Sequence, residues 1–153
     1  MKPPEPSPLA AFRLRHPLRV RWAELDPQNI VFNGHYLTYF DIGITEYWRA
    51  IGLPYPEGIA GTGGDLFAVR SVINYHASAR FDELLDVCVR AGRLGNSSMA
   101  FEMAVFRGDE RLVSGEMIYV NADPESRTSR ALPERLRNAI EAWEAGGSTQ
   151  AIQ

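Results

Sequence analysis

Leu18, Val20 and Trp22 alternate with Arg19, Arg21 and Ala23, the period of a half-buried strand, over about residues 17–24. A polar turn containing Asp26, Pro27 and Asn29 breaks that strand. From Asn33 the period becomes helical. Tyr36, Tyr39, Phe40, Gly43, Tyr47, Trp48 and Ile51 fall on one stripe, and Thr38, Asp41, Thr45 and Arg49 face away. Asn33 has the side chain of an N-cap, and Gly52 with Pro54 closes the helix. A loop follows from Leu53 to Gly64 with four glycines and two prolines. Such a loop is either a plain connection or a flap over a bound group.

Four strands come next. Leu66–Ser78 sets Phe67, Val69, Ser71, Ile73 and Tyr75 against Arg70, Asn74 and His76, and Leu84–Leu94 sets Leu85, Val87 and Val89 against Asp86, Cys88 and Arg90. Gly95-Asn96 turns into Ser98–Arg107, and Gly108-Asp109 turns into Glu110–Asn121, so these strands form consecutive antiparallel hairpins. A short terminal helix opens with Pro133 and carries Leu136, Ile140 and Trp143 on one face. The predicted class is α+β: one antiparallel sheet of about five strands with a long helix across one face. Phe101, Met103 and Val105 point to one side of their strand, Ala100, Ala104 and Phe106 to the other. One helix covers one face, so a second copy of the chain is expected on the other face or along an edge.

Composition narrows the function without naming it. The 153 residues make one domain, 45% hydrophobic and 23% charged, an ordinary soluble balance. A Pro-rich arm is expected over residues 1–14, the domain over 15–146 and a frayed tail over 147–153. The net charge of −3 gives no basic footprint for nucleic acid. No apolar run approaches the roughly 18 residues of a membrane span, and the amino terminus lacks the apolar centre of a secretory signal. A lone cysteine, Cys88, fits a reducing compartment, and the cytoplasm is the expected location. His16, His35 and His76 lie apart with no cysteine partner, so no metal site is expected. Cys88 lies mid-strand between valines and reads as inert core. No Gly-x-Ser-x-Gly elbow is present, which disfavours an α/β-type serine hydrolase.

The chemistry concentrates ahead of the long helix. Asp26 sits in the turn before a helix amino end, where free N–H groups and about half a positive charge collect. A carboxylate base beside a ready oxyanion site is the minimum for acyl transfer to water. Asp41 and Glu46 on the helix are rival carboxylates.

Asp26-Pro27-x-x-Ile30-Val31-x-Asn33-x-x-Tyr36-Leu37-x-Tyr39-Phe40 resembles the opening of hotdog-fold acyl-CoA thioesterases of the 4-hydroxybenzoyl-CoA thioesterase family. Ala79–Val87, Gly95-Asn96-Ser97-Ser98-x-x-Phe101 and Leu132-Pro133-x-x-Leu136 are similar to later stretches of that family, so the resemblance spans about residues 17–145. It departs at Asn29, where the family has glycine; asparagine is the non-glycine residue that best tolerates positive φ. The resemblance implies the hotdog fold and an acyl-CoA substrate hydrolysed without a cofactor. It also implies a homodimer or homotetramer with active sites at the dimer seam. Asp26 would act as general base or as nucleophile. Amides around Asn33 and Gly34 would polarise the carbonyl, and Tyr36 and Phe40 would line the acyl slot. Arg93, Ser98, Arg127 and Arg130 are the candidate contacts to the CoA phosphates, arginine's planar fork suiting that task. Alternatives are an acyl-carrier-protein thioesterase and a non-catalytic acyl-binding protein of the same fold.

Overall fold

The computed structural model describes residues 4–60 and 64–146. Strand β1 (Leu14–Arg19) leads through a site turn to helix α1 (His35–Ala50); β2 (Asp65–Tyr75), β3 (Leu84–Leu94), β4 (Ser98–Arg107), β5 (Glu110–Ala122) and helix α2 (Glu134–Glu144) follow. The five strands form one antiparallel sheet in the order β1-β3-β4-β5-β2. The sheet wraps around α1, which is the hotdog arrangement. The hairpins β3-β4-β5 follow their glycine turns as expected, with Gly108 at φ 59°. Strand β2, by contrast, pairs only with β5 among the described residues and forms an edge eleven residues long. The other edge, β1, has six residues and contains Pro17.

Helix α1 forms because its apolar residues recur on one stripe, and Tyr36, Tyr39, Phe40, Gly43, Ile44, Tyr47 and Trp48 are all buried. Each large side chain so buried contributes roughly 1.5–3 kcal/mol. Gly43 sets how closely the helix approaches the sheet: a Cβ there would come within 2.8 Å of Val87 and 3.0 Å of Val89. The helix ends where Gly52 takes φ 79°. Its start differs from expectation. Gly34 occupies the N-cap position and no side chain caps it, so the Asn33 side chain does not serve as the cap.

Strand β1 also ends five residues before its expected limit. Its partners on β3 run out at Arg19↔Leu84, and residues Trp22–Glu24 coil into a 3-10 turn because the Glu24 carboxylate takes the Arg21 amide at 2.7 Å. Trp22, placed by its alternation on the core side, is 80% exposed.

The outer face of the sheet is covered in part by the chain's own amino-terminal stretch. Ser7 donates from its amide and hydroxyl to Glu102 at 2.8 Å each, Arg111 donates to the Pro6 and Ser7 carbonyls, and Leu9 and Phe12 close over Cys88, Ala104 and Phe106. Residues 4–13 thus cover part of the face on which, or on an edge, a second copy was expected. The expected tail, 147–153, lies outside the described residues, as do residues 61–63 of the glycine loop.

Candidate active site

The turn from Glu24 to Phe32 is closed by the backbone at three levels. The Phe32 amide donates to the Glu24 carbonyl (3.0 Å), Leu25 bridges Val31, and the Asp26 amide donates to Ile30 (2.9 Å). Asn29 sits at the tip with φ 60°, so asparagine supplies the left-handed conformation for which the related pattern uses glycine. The Val31 amide then pins the turn to the Ala79 carbonyl at 2.9 Å. Asp26 is half-buried at the turn's base. One of its carboxylate oxygens accepts the Gln28 amide at 2.8 Å, and among the described residues the other accepts no protein hydrogen bond.

Asp26 opens on a cleft of about 360 Å³ lined also by Gln28, Ile30, Val31, Asn33, Tyr36 and residues Tyr75–Ser78. The amino end of α1 reaches the same cleft. The His35 amide donates to Phe32 (2.9 Å) and the Tyr36 amide to Asn33 (3.4 Å), whereas the amides of Asn33 and Gly34 donate to no protein group among the described residues. A Cβ on Gly34 would stand 2.7 Å from the Phe32 ring, so a larger residue there would displace that exposed side chain. Tyr36 is buried and its hydroxyl accepts the Ala79 amide at 3.2 Å; burial pushes its pKa up, leaving it a neutral wall. Tyr75 stands edge-on to Tyr36, with ring centroids 5.8 Å apart, and donates to the Asn33 carbonyl at 3.3 Å.

Two residues near the turn carry little signal in the sequence. His76 lines the cleft with Nε2 2.8 Å from the Ser114 hydroxyl; its only sequence signal was a polar position at the end of a strand. Glu24, 6% exposed, lies beneath the turn and was hidden by the overlong reading of β1. A larger groove of about 490 Å³ lies on the other side of the turn, lined by Trp22, Leu25, Asn29, Arg80 and Phe81. These lining residues include no carboxylate, thiol or imidazole, whereas the smaller cleft holds both a carboxylate and an imidazole.

The remaining expected residues scatter. Phe40 is fully buried against Gly115 and belongs to the core beneath the cleft, not to its lining. Asp41 is exposed on α1, and Glu46 pairs with Arg49. Arg127 stacks over the Phe67 ring at 4.2 Å, and Arg130 pairs with Asp123 at 2.7 Å, beside the start of β2. Ser98 begins β4 opposite Val120, at the same end of the sheet. Arg93 lines an outer-face cavity of about 580 Å³ under the amino-terminal stretch. Phe67 and Tyr75 are eight residues apart along β2, roughly 25 Å at strand rise. Within one chain, the candidate phosphate contacts around Phe67 therefore stand at the far end of the sheet from Asp26. Among the described residues no group of three or more His, Cys, Asp or Glu could hold a metal ion.

A five-stranded antiparallel sheet wrapped round one long helix is the hotdog architecture. Residues 28–114 match the model of the thioesterase superfamily, and the chain belongs to that superfamily. It is similar to the acyl-CoA thioester hydrolase YbgC of Escherichia coli, 25% identical over 124 residues that cover 80% of this chain and 91% of that protein. Among solved structures it is similar to a protein from Pseudomonas aeruginosa strain PAO1 (27% identity, TM-score 0.77, covering 97% of this chain and 100% of that one). It is also similar to a thioesterase complexed with coenzyme A and Zn from Thermus thermophilus (26% identity, TM-score 0.76, covering 90% and 98%). As a member of this superfamily the protein is a thioester hydrolase. No helix of the described residues is long and apolar enough to cross a membrane.

Proposed function

We propose that the protein hydrolyses an acyl-CoA thioester to the free acid and CoA, with Asp26 as the working carboxylate. The observation that carries this reading is that Asp26 lines one cleft with Asn33 and Tyr36 at the amino end of α1, where the amides of Asn33 and Gly34 donate to no protein group among the described residues. The substrate class is supported by the likeness to a curated acyl-CoA thioester hydrolase and to a structure holding coenzyme A. A water beside Asp26 loses its proton to the carboxylate as its oxygen bonds to the thioester carbon. The charge that develops on the carbonyl oxygen faces the two amides. Collapse breaks the C–S bond, and the proton passes to the departing thiolate.

The reading further places the site at a two-fold seam. The long free edge of β2 leaves a row of backbone groups unpaired, and pairing it with a second β2 would satisfy them. Antiparallel pairing about a two-fold axis brings the start of the partner's β2 beside the end of this one. That is the only arrangement of two chains along this edge that sets Arg127 and Arg130 of one subunit near the cleft of the other. The assembly is thus a homodimer, alone or within a homotetramer.

Release of thiol from a panel of acyl-CoAs tests the activity and identifies the acyl group. Asp26→Asn preserves size and hydrogen-bonding reach but removes the base, so kcat falls by about 10²–10⁴ with the circular dichroism unchanged. A variant that keeps most of the wild-type turnover overturns the assignment. A single turnover in ¹⁸O-water separates base from nucleophile. Unlabelled product acid with ¹⁸O in Asp26 identifies the anhydride route with water attacking the aspartyl carbonyl; ¹⁸O in the acid excludes that route and fits water attacking the acyl carbon.

A further inference from the structure

Glu24 is a buried carboxylate two residues before Asp26, and the proposed hydrolysis does not use it. Its surroundings consist of donors. The Arg21 amide donates to Oε1 at 2.7 Å, the Tyr39 hydroxyl donates to Oε1 at 3.0 Å, and the Arg21 guanidinium donates to Oε2 at 3.3 Å. An ionised carboxylate, which only accepts, matches this set; an amide or a protonated acid would bring an N–H or O–H into it. Burial pushes the Glu24 pKa up, but the Arg21 amide, the guanidinium and the Tyr39 hydroxyl outweigh it and hold the group below its ordinary value.

The partners fix where the group acts. Tyr39 is fully buried one turn into α1, so its hydroxyl is held by the helix. Arg21 opens the 3-10 turn, and the Glu24 carbonyl accepts the Phe32 amide that closes the catalytic turn. One residue thereby joins the incoming backbone, the neck of the turn and the helix whose amino end faces the thioester. We propose that Glu24 is a positioning residue that fixes the Asp26 carboxylate relative to the amides of Asn33 and Gly34. It acts through Tyr39 and touches no substrate. The inference rests on Asp26 being the working carboxylate.

Catalysis is sensitive to such placement: a shift on the order of 1 Å between base and oxyanion site costs on the order of 100-fold. Glu24→Gln, compared in the wild-type and Asp26→Asn backgrounds under single-turnover conditions, tests the idea. In the wild type, kcat is expected to fall about 10- to 100-fold with KM nearly unchanged, because substrate binding uses other residues. In the Asp26→Asn background the same change is expected to leave the residual kcat almost untouched, since there is no carboxylate left to place. An equal fold-loss in both backgrounds would make Glu24 a purely structural residue and overturn the proposal. Should Glu24→Gln fold poorly, Tyr39→Phe removes only the hydroxyl and must show a smaller loss with the same dependence on Asp26. Tyr39→Phe with unaltered kcat also overturns the proposal. Failure of the underlying reading is seen separately: Asp26→Asn alone would then keep its turnover.

Discussion

Asn29 and Glu24 stand on either side of Asp26, the proposed working carboxylate, and only one of them announces its role in the sequence. Asn29 is legible because positive φ at a turn tip selects glycine or asparagine whatever surrounds it. The role of Glu24 depends on Tyr39, fifteen positions away, and no local pattern encodes that meeting. The alternation of Leu18, Val20 and Trp22 also runs on past the end of the real strand, so Glu24 was read as part of an extended segment. Its charge state gives a prediction at this scale. The folded carboxyl titrates below its ordinary value of 4.5, so it adds stability at pH values above that figure and loses the contribution as the pH falls through the folded value. Urea unfolding between pH 7 and pH 3 should therefore show Glu24→Gln less stable than wild type at neutral pH, with the gap narrowing on acidification below about 4.5. A gap that stays constant or widens with acid would mean that Glu24 is not held ionised. Cys88 behaves as its mid-strand position implies: burial pushes its thiol up to about 12, the condition of an unreactive core residue.

Among the elements, periodicity located both helices and the last four strands, and the limits of β3 and β4 agree with the structure to the residue. What periodicity could not supply was strand order. Residues 76–83 carry the chain from β2 at one edge to β3 near the other, and nothing in their composition states how far they travel. The closeness of α1 to the sheet was visible only as a small residue in an aromatic stripe. Gly43 is where it is decided, because the helix backbone rests on Val87 and Val89. Gly43→Ala should destabilise the fold by about 1–3 kcal/mol through overpacking, despite alanine's better helix propensity. Denaturant midpoints measure it; a variant more stable than wild type would show that the two valines yield without cost. The same substitution should lower kcat more than stability alone explains, since lifting α1 moves the Asn33 and Gly34 amides away from Asp26.

At the scale of the whole molecule, the candidate site divides into two halves that one chain cannot unite. Asp26 and the helix amides lie at the end of β2, near Tyr75, while Arg127 rests on Phe67 at its beginning. The motif carries Asp26 while the arginines are candidates for their fit to phosphate, and a sequence does not distinguish contacts within a chain from contacts between copies. The proposed pairing along β2 would unite the two halves, and an experiment on mixed dimers tests it. In an Asp26→Asn dimer both sites lack the carboxylate. In an Arg127→Ala, Arg130→Ala dimer both sites lack the proposed phosphate contacts, and KM should rise about tenfold with kcat nearly intact, each exposed contact being worth about 0.7 kcal/mol. In a dimer of one chain of each kind, one site carries both defects and the other carries neither. Refolding the two variants together at equal concentration forms mixed dimers in about half of all pairings, so about a quarter of all sites regain wild-type character. Assayed at low acyl-CoA, where the arginine variant is handicapped, the mixture should exceed the mean of the two separate preparations. A mixture that only averages its components would place the arginines and Asp26 on the same functional chain, and the two-fold pairing along β2 would have to be given up.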